Sequence, residues 1–304
     1  MKRTYPLLVL AIVLFASCQE AKKPNNGKLD IVTTTTMITD LVRNIGGDSV
    51  NVQGLMGSGV DPHLYKASEG DVSKLTNADV VFYNGLHLEG KLVDVFEKMG
   101  RNTNTVALAE VLDKDKLIGS EYFASNYDPH IWFNIDYWRQ VTTYLTEQLS
   151  ILEPENAGYF EANKVHYFAK LDALEAEMEQ TIATLPREKR ILVTAHDAFN
   201  YFGEAYGFEV VGLQGLSTAT EAGVQDVQNL AKLIMDKEVK AIFVETSVPK
   251  RTIEALQQAV LSKGFEVAIG GTLYSDALGN PGTEEGTYLG MFRYNVNTMV
   301  EALK

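Results

Sequence analysis

Short, densely apolar runs alternate with longer amphipathic stretches along most of this chain. In the first half, residues 29–32, 50–56, 79–83 and 105–108 read as strands. Helices are expected over 37–45, 90–99 and 135–149, with a more polar one before residue 79. The second half repeats this grammar, with strands at 191–194, 208–213, 241–244 and 265–269. Its helices fall near 225–235 and 251–261, and a terminal helix runs over 286–303. Strands that alternate with helices predict βα units and mainly parallel sheets, in which function gathers in loops beyond the carboxyl ends of the strands.

The middle of the chain breaks this alternation. No proline lies between Pro154 and Pro186, and Phe168, Leu171, Leu174, Met178, Ile182 and Leu185 recur at spacings of three and four. That is one apolar face of a long helix. At about 1.5 Å per residue, the 31 residues between Pro154 and Pro186 predict a rod of roughly 46 Å. The expected fold is therefore α/β with two lobes, each a mainly parallel sheet flanked by helices. Residues 29–153 would form the N-terminal lobe and 187–304 the C-terminal lobe, with the long helix as the link.

Composition narrows the function classes. The chain has 304 residues, enough for two cores, and its 45% hydrophobic and 22% charged residues are those of a folded protein. A formal charge of -13 with no dense basic patch argues against nucleic acid as a partner. At the N-terminus, Lys2 and Arg3 precede an apolar run over 7–16, too short to span a bilayer comfortably and shaped like a signal peptide. Cys18, the sole cysteine, excludes disulfides within the chain and any cysteine-built metal site. Phe15-Ala16-Ser17-Cys18 resembles a bacterial lipoprotein cleavage box. The resemblance implies that residues 1–17 are removed and that a lipid is attached to Cys18. Residues 18–28, with Pro24, Gly27 and several lysines, then read as a flexible tether.

Candidate chemistry centres on histidine. His63 and His130 each follow an Asp-Pro pair, and the proline stiffens the loop that carries the imidazole. His196 follows the apolar run at 191–194 and precedes Asp197, where a helix is expected to begin. With Asp276, these residues supply three imidazoles and one carboxylate, a set that suits a transition metal. Plainer readings stay open at this level. The two proline triplets could be surface turns, His196 a helix-cap or core residue, and Asp276 an N-cap. Asp61, Asp128, Asp197 and Glu245 could accept hydrogen bonds from the imidazoles, or serve as ordinary caps and ion pairs. Tyr65, Trp132, Phe133, Phe199 and Phe202 could screen a metal from water or simply pack the core. His87 reads as structural and His166 as a partly exposed residue of the long helix.

Six runs sharpen the picture: residues 61–65, 84–89, 128–134, 194–202, 243–248 and 273–279. In this order they resemble the substrate-binding lipoproteins of bacterial ABC transporters for manganese and zinc, the group that includes a treponemal metal-binding lipoprotein. The resemblance covers nearly all of the chain after the tether. It implies a cluster A-I periplasmic-binding-protein-like fold and one Zn2+ or Mn2+ as transported ligand between the lobes. The ligands it implies are His63 and His130 from the first lobe, and His196 and Asp276 from the second. It further implies an ABC permease as partner, a membrane-anchored position in the cell envelope facing the periplasm or exterior, and no enzymatic activity. A monomer is expected, since handover to a permease needs no self-association. Manganese-dedicated relatives often carry glutamate where this chain has His196, and zinc-dedicated ones often carry a His-rich loop that this chain lacks. Two rivals are a zinc metallohydrolase with Asp197 or Glu245 as general base, and a surface adhesin. The first needs an open coordination position and the second has no residue to support it.

Overall fold

Short runs buried on both faces suit the interior of a parallel sheet, and this chain places them there. The computed structural model describes residues 27–99, 104–120, 123 and 125–304. The expected signal peptide, Cys18 and most of the tether lie outside the described residues. Strands β1 (Leu29–Thr33), β2 (Val50–Gly54), β3 (Val80–Tyr83) and β4 (Asn104–Ala107) form one parallel sheet in the order β2-β1-β3-β4. In the second half, β5 (Ile191–His196) pairs in parallel with β6 (Glu209–Gln214), and β7 (Ala241–Glu245) with β8 (Ala268–Leu273). The two pairs lie side by side, with β5 against β7.

Helices α1 (Thr36–Gly46), α2 (Glu69–Asn77) and α3 (Val93–Met99) complete the first lobe, and α6 (Asn200–Tyr206), α7 (Val224–Asp236) and α8 (Arg251–Leu261) the second. Starts are specified locally. Thr35 caps α1 by accepting from the Ile38 amide, and Ser68 with Asp71 makes a reciprocal capping box on α2. Among the described residues, no helix is long and apolar enough to cross a membrane.

Three boundaries differ from the sequence reading. Strand β5 runs two residues past Thr194, so His196 is its last residue, and α6 begins only at Asn200. Strand β8 lies later than residues 265–269, because its Gly270 is chosen for closeness. A Cβ there would stand 2.6 Å from Ala302 and 2.8 Å from Phe243. The long helix is trimmed at both ends. Residues 154–156 form a 3-10 turn after α4 (Ile135–Leu152), and α5 occupies Ala157–Ala183. Its 27 residues span roughly 40 Å.

The buried face of α5 is Phe160, Tyr167, Leu171, Leu174, Met178 and Ile182, with Phe168 only half-buried beside it. Tyr167 takes the inner position because its hydroxyl accepts from the Trp138 indole at 3.1 Å, which satisfies both groups in the core. Helix α5 packs on α1 and α4 from the first half and on α9 (Tyr288–Leu303) from the second. A single apolar cluster accordingly includes Leu29 and Phe82 as well as Phe243 and Leu303. Each fully buried leucine or phenylalanine contributes about 1.5–3 kcal/mol, so a core shared by both lobes resists wide separation. Smaller clusters belong to one lobe each, around Leu75 and Phe96 and around Ile234 and Leu256.

Candidate metal centre

Four polar side chains converge where the lobes meet, each delivered by a segment beyond a strand's carboxyl end. His63 sits on the loop between β2 and α2, and the Asp61 Oδ1 accepts its backbone N–H at 2.8 Å. The second Asp-Pro-His loop uses the same device, with Asp128 Oδ1 accepting from His130 N at 2.9 Å. His196 closes β5, and Asp276 follows β8. His63 is 5% exposed, Asp276 1%, and the other two are fully buried.

The donor atoms form a compact cage. His63 Nε2 stands 3.3 Å from His130 Nε2. His130 Nε2 is 3.5 Å from Asp276 Oδ1, and His196 Nε2 is 3.2 Å from Asp276 Oδ2. One donor atom from each residue lies within 4.8 Å of all the others. A tetrahedral shell with bonds of about 2.0–2.2 Å has edges of about 3.3–3.6 Å, and the short separations sit at or beside that range.

The electrostatics differ from one cage residue to the next. Burial pushes the His63 pKa down to about 3, so its ring is neutral and free to donate a lone pair. Burial also opposes the charged forms of Asp276 and His196, yet for both the neighbouring opposite charges outweigh it. The His196 ring, with help from His130 and His63, holds the Asp276 carboxyl well below the usual range. Glu245 and then Asp276 hold His196 well above its ordinary value. Buried Asp276 Oδ1 accepts no hydrogen bond, which leaves a lone pair turned into the cage.

The surrounding carboxylates divide by what they touch. Asp128 Oδ1 lies 2.7 Å from His130 Nδ1, which leaves Nε2 facing the cage. Glu245 Oε2 lies 2.6 Å from His196 Nδ1, and its Oε1 accepts from the Ala195 and His196 amides. Asp61 meets no imidazole, and its second oxygen accepts from the Thr218 hydroxyl of the other lobe at 2.5 Å. Asp197 also stands apart, accepting from the Gly212 amide at 2.6 Å. Burial raises the pKa of both Asp61 and Asp197.

Among the aromatics, Trp132 places its edge on the His130 ring at 5.3 Å and donates from its indole to the Ser275 carbonyl. Phe133 packs on Phe199 at 4.4 Å, Phe202 packs on Phe208, and the Tyr65 hydroxyl goes to Leu55 and Asp71. His166 is exposed on α5. Four contributors escaped the sequence reading. Phe123 stands edge-on to both His63 and His87, at 6.3 and 6.1 Å. Ser247 donates to Asp276 Oδ2 at 3.3 Å. Asn84 donates from its side-chain amide to the Pro129 carbonyl, and so braces the His130 loop. Buried Glu89 accepts from Thr34, Asn84 and Gly85. It thereby holds a turn in which Leu86 and His87 adopt positive φ, a strained state for non-glycine residues.

Comparison with known proteins gives consistent matches over nearly the whole chain. The manganese-binding lipoprotein MntA of Bacillus subtilis (strain 168) is 48% identical over 303 residues, covering 97% of this chain and 99% of the relative. The manganese ABC transporter substrate-binding lipoprotein PsaA of Streptococcus mitis is 30% identical over 306 residues, covering 98% and 97%. The solved structure of the periplasmic zinc-binding protein TroA from Treponema pallidum superposes with a TM-score of 0.89 at 47% identity, covering 91% of this chain and 99% of that one. The family model for the periplasmic zinc-uptake complex component A matches residues 31–302. With that span and those identities, this chain belongs to the ZnuA family of periplasmic zinc-uptake components.

Proposed function

We propose that this protein captures one divalent transition metal outside the cytoplasmic membrane and delivers it to an ABC permease. The convergence of His63, His130, His196 and Asp276 into one buried cage carries the reading. The relatives' names support it: MntA is a manganese-binding lipoprotein, PsaA an ABC transporter substrate-binding lipoprotein and TroA a zinc-binding protein. The ion is cargo, and no covalent step is needed. Four protein donors fill a tetrahedral shell, whereas a hydrolytic zinc keeps one position for water. The rival general bases are also engaged, Glu245 with two amides and Asp197 with one.

Titration calorimetry of metal-free protein with zinc tests this reading. One site per chain is expected, with about one proton released per metal near pH 7.5. The raised His196 pKa keeps that ring protonated when the cage holds no cation, and metal binding must displace the proton. His63 is already neutral and Asp276 already ionised, so neither contributes. Affinity therefore rises by about tenfold per pH unit until the His196 pKa is passed, whereas imidazoles with ordinary pKa values near 6.5 would give almost no slope there. Absence of a stoichiometric site would sink the capture reading. A slope near zero would remove the charged His196.

We also propose that residues 18–28 tether the protein to the membrane through a lipid on Cys18, leaving the site in the envelope. Lipoprotein relatives and the cleavage-box sequence support this. Cys18→Ser should move the protein from the membrane fraction to the soluble fraction on cell fractionation. Retention of the variant in the membrane fraction would count against the anchor.

A further inference from the structure

The two lobes are bound most firmly along the shared core. There Thr36 accepts from the Leu278 amide at 2.8 Å, and the Tyr288 hydroxyl donates to the Trp132 carbonyl at 2.7 Å. A different kind of contact joins the lobes beside the cage. The loop carrying His63 meets the loop 215–223, between β6 and α7, at an edge where Leu64, Lys66, Ala219 and Thr220 are exposed. The His63 loop also nears the segment between β7 and α8, where a Cβ on Gly59 would stand 3.3 Å from the Thr246 carbonyl oxygen. Among the described residues, the side-chain bond that joins these two loops is Thr218 Oγ1 to Asp61 Oδ2 at 2.5 Å, and Thr218 is buried.

Asp61 splits its two oxygens between the lobes. Oδ1 holds the His63 backbone N–H of its own loop, and Oδ2 holds the hydroxyl from the other lobe. Lobe closure and placement of the His63 loop are thus joined in one carboxylate. Among the four cage residues, His63 has the greatest exposure, so its loop is where the cage can first open to water. We propose that Thr218 latches the two lobes through Asp61 and slows release of the captured metal, acting as a positioning residue for His63. This inference rests on the metal-capture reading. Parting the lobes exchanges this bond for bonds to water, so breaking it must precede opening. The latch therefore acts on how long the ion stays, and leaves the donors and their number unchanged.

The test uses the full chain loaded with one zinc and mixed with excess EDTA, with release followed by tryptophan fluorescence, since Trp132 adjoins His130. Thr218→Val removes the hydroxyl and keeps the shape. It should speed release by about tenfold and weaken affinity to match, with stoichiometry still one. Thr218→Ser should restore release to within about twofold of the parent. Ser217→Ala perturbs the same loop, where Ser217 Oγ accepts only from the Ala219 amide, and should leave release unchanged. Thr218→Ala repeats the measurement should the valine fail to pack. Parent-like release from a Thr218→Val protein that still binds one zinc would overturn the latch and leave metal capture standing. Equal acceleration by Ser217→Ala would also overturn it, since loop order would then be the cause. A parent protein that binds no zinc would remove both readings together.

Discussion

Asp276→Ala is expected to weaken metal binding by about 10²–10³-fold, because a four-donor site worth about 10–16 kcal/mol loses roughly a quarter of its donors. His196→Ala should cost as much. The two residues face each other across 3.2 Å, and each is the other's chief counter-charge within the cage. Substitutions one step further out should cost less and in a definite order. Glu245→Gln loses the carboxylate that orients His196 from Nδ1, and Asp128→Asn loses its counterpart behind His130, for about 10–100-fold each. Asp197→Asn should bind metal almost as the parent does, although Asp197 neighbours His196 in sequence, because its carboxylate bonds the Gly212 amide. Competition against a chromophoric chelator gives all five affinities. An Asp276→Ala protein within threefold of the parent would place the metal elsewhere.

That ordering shows what the sequence made legible. The parallel-sheet halves and the long helix follow from periodicity, because runs such as Val80–Tyr83 and the α5 stripe bury the residues their spacing predicts. The proline loops announce His63 and His130 because rigid backbone beside a ligand-capable side chain is a local signal. Asp197 was harder to place for a simple reason. With β5 extended to His196, the end of the strand turns consecutive side chains to opposite sides, and Asp197 leaves the cage for β6. A glycine at position 212 is what permits this, since a Cβ there would come within 2.6 Å of the Asp197 side chain. Strand β8 slipped because glycines selected for close packing carry no hydrophobic signal. Thr218, Ser247 and Asn84 were unreadable for another reason. Each is one small polar residue whose meaning lies in a partner far off in the chain, as Thr218 meets Asp61 across 157 positions.

Zinc should outcompete manganese at equal free concentrations by on the order of 10³-fold, following the affinity order for mixed nitrogen and oxygen donors. The relatives' names point both ways, to manganese for MntA and to zinc for TroA, at nearly equal identity. The donors decide the expectation. Three imidazoles and one carboxylate are richer in nitrogen than manganese favours. Manganese wants about six donors, and the cage, with Asp276 Oδ1 beside His130 and Oδ2 beside His196, offers at most five. Ser247 already donates to Oδ2, and the burial of all four candidate ligands limits the water that could make up the difference. Competitive titration of metal-free protein with both ions measures the ratio directly. Manganese binding within tenfold of zinc would mean that both Asp276 oxygens bind the ion and the shell expands beyond four donors.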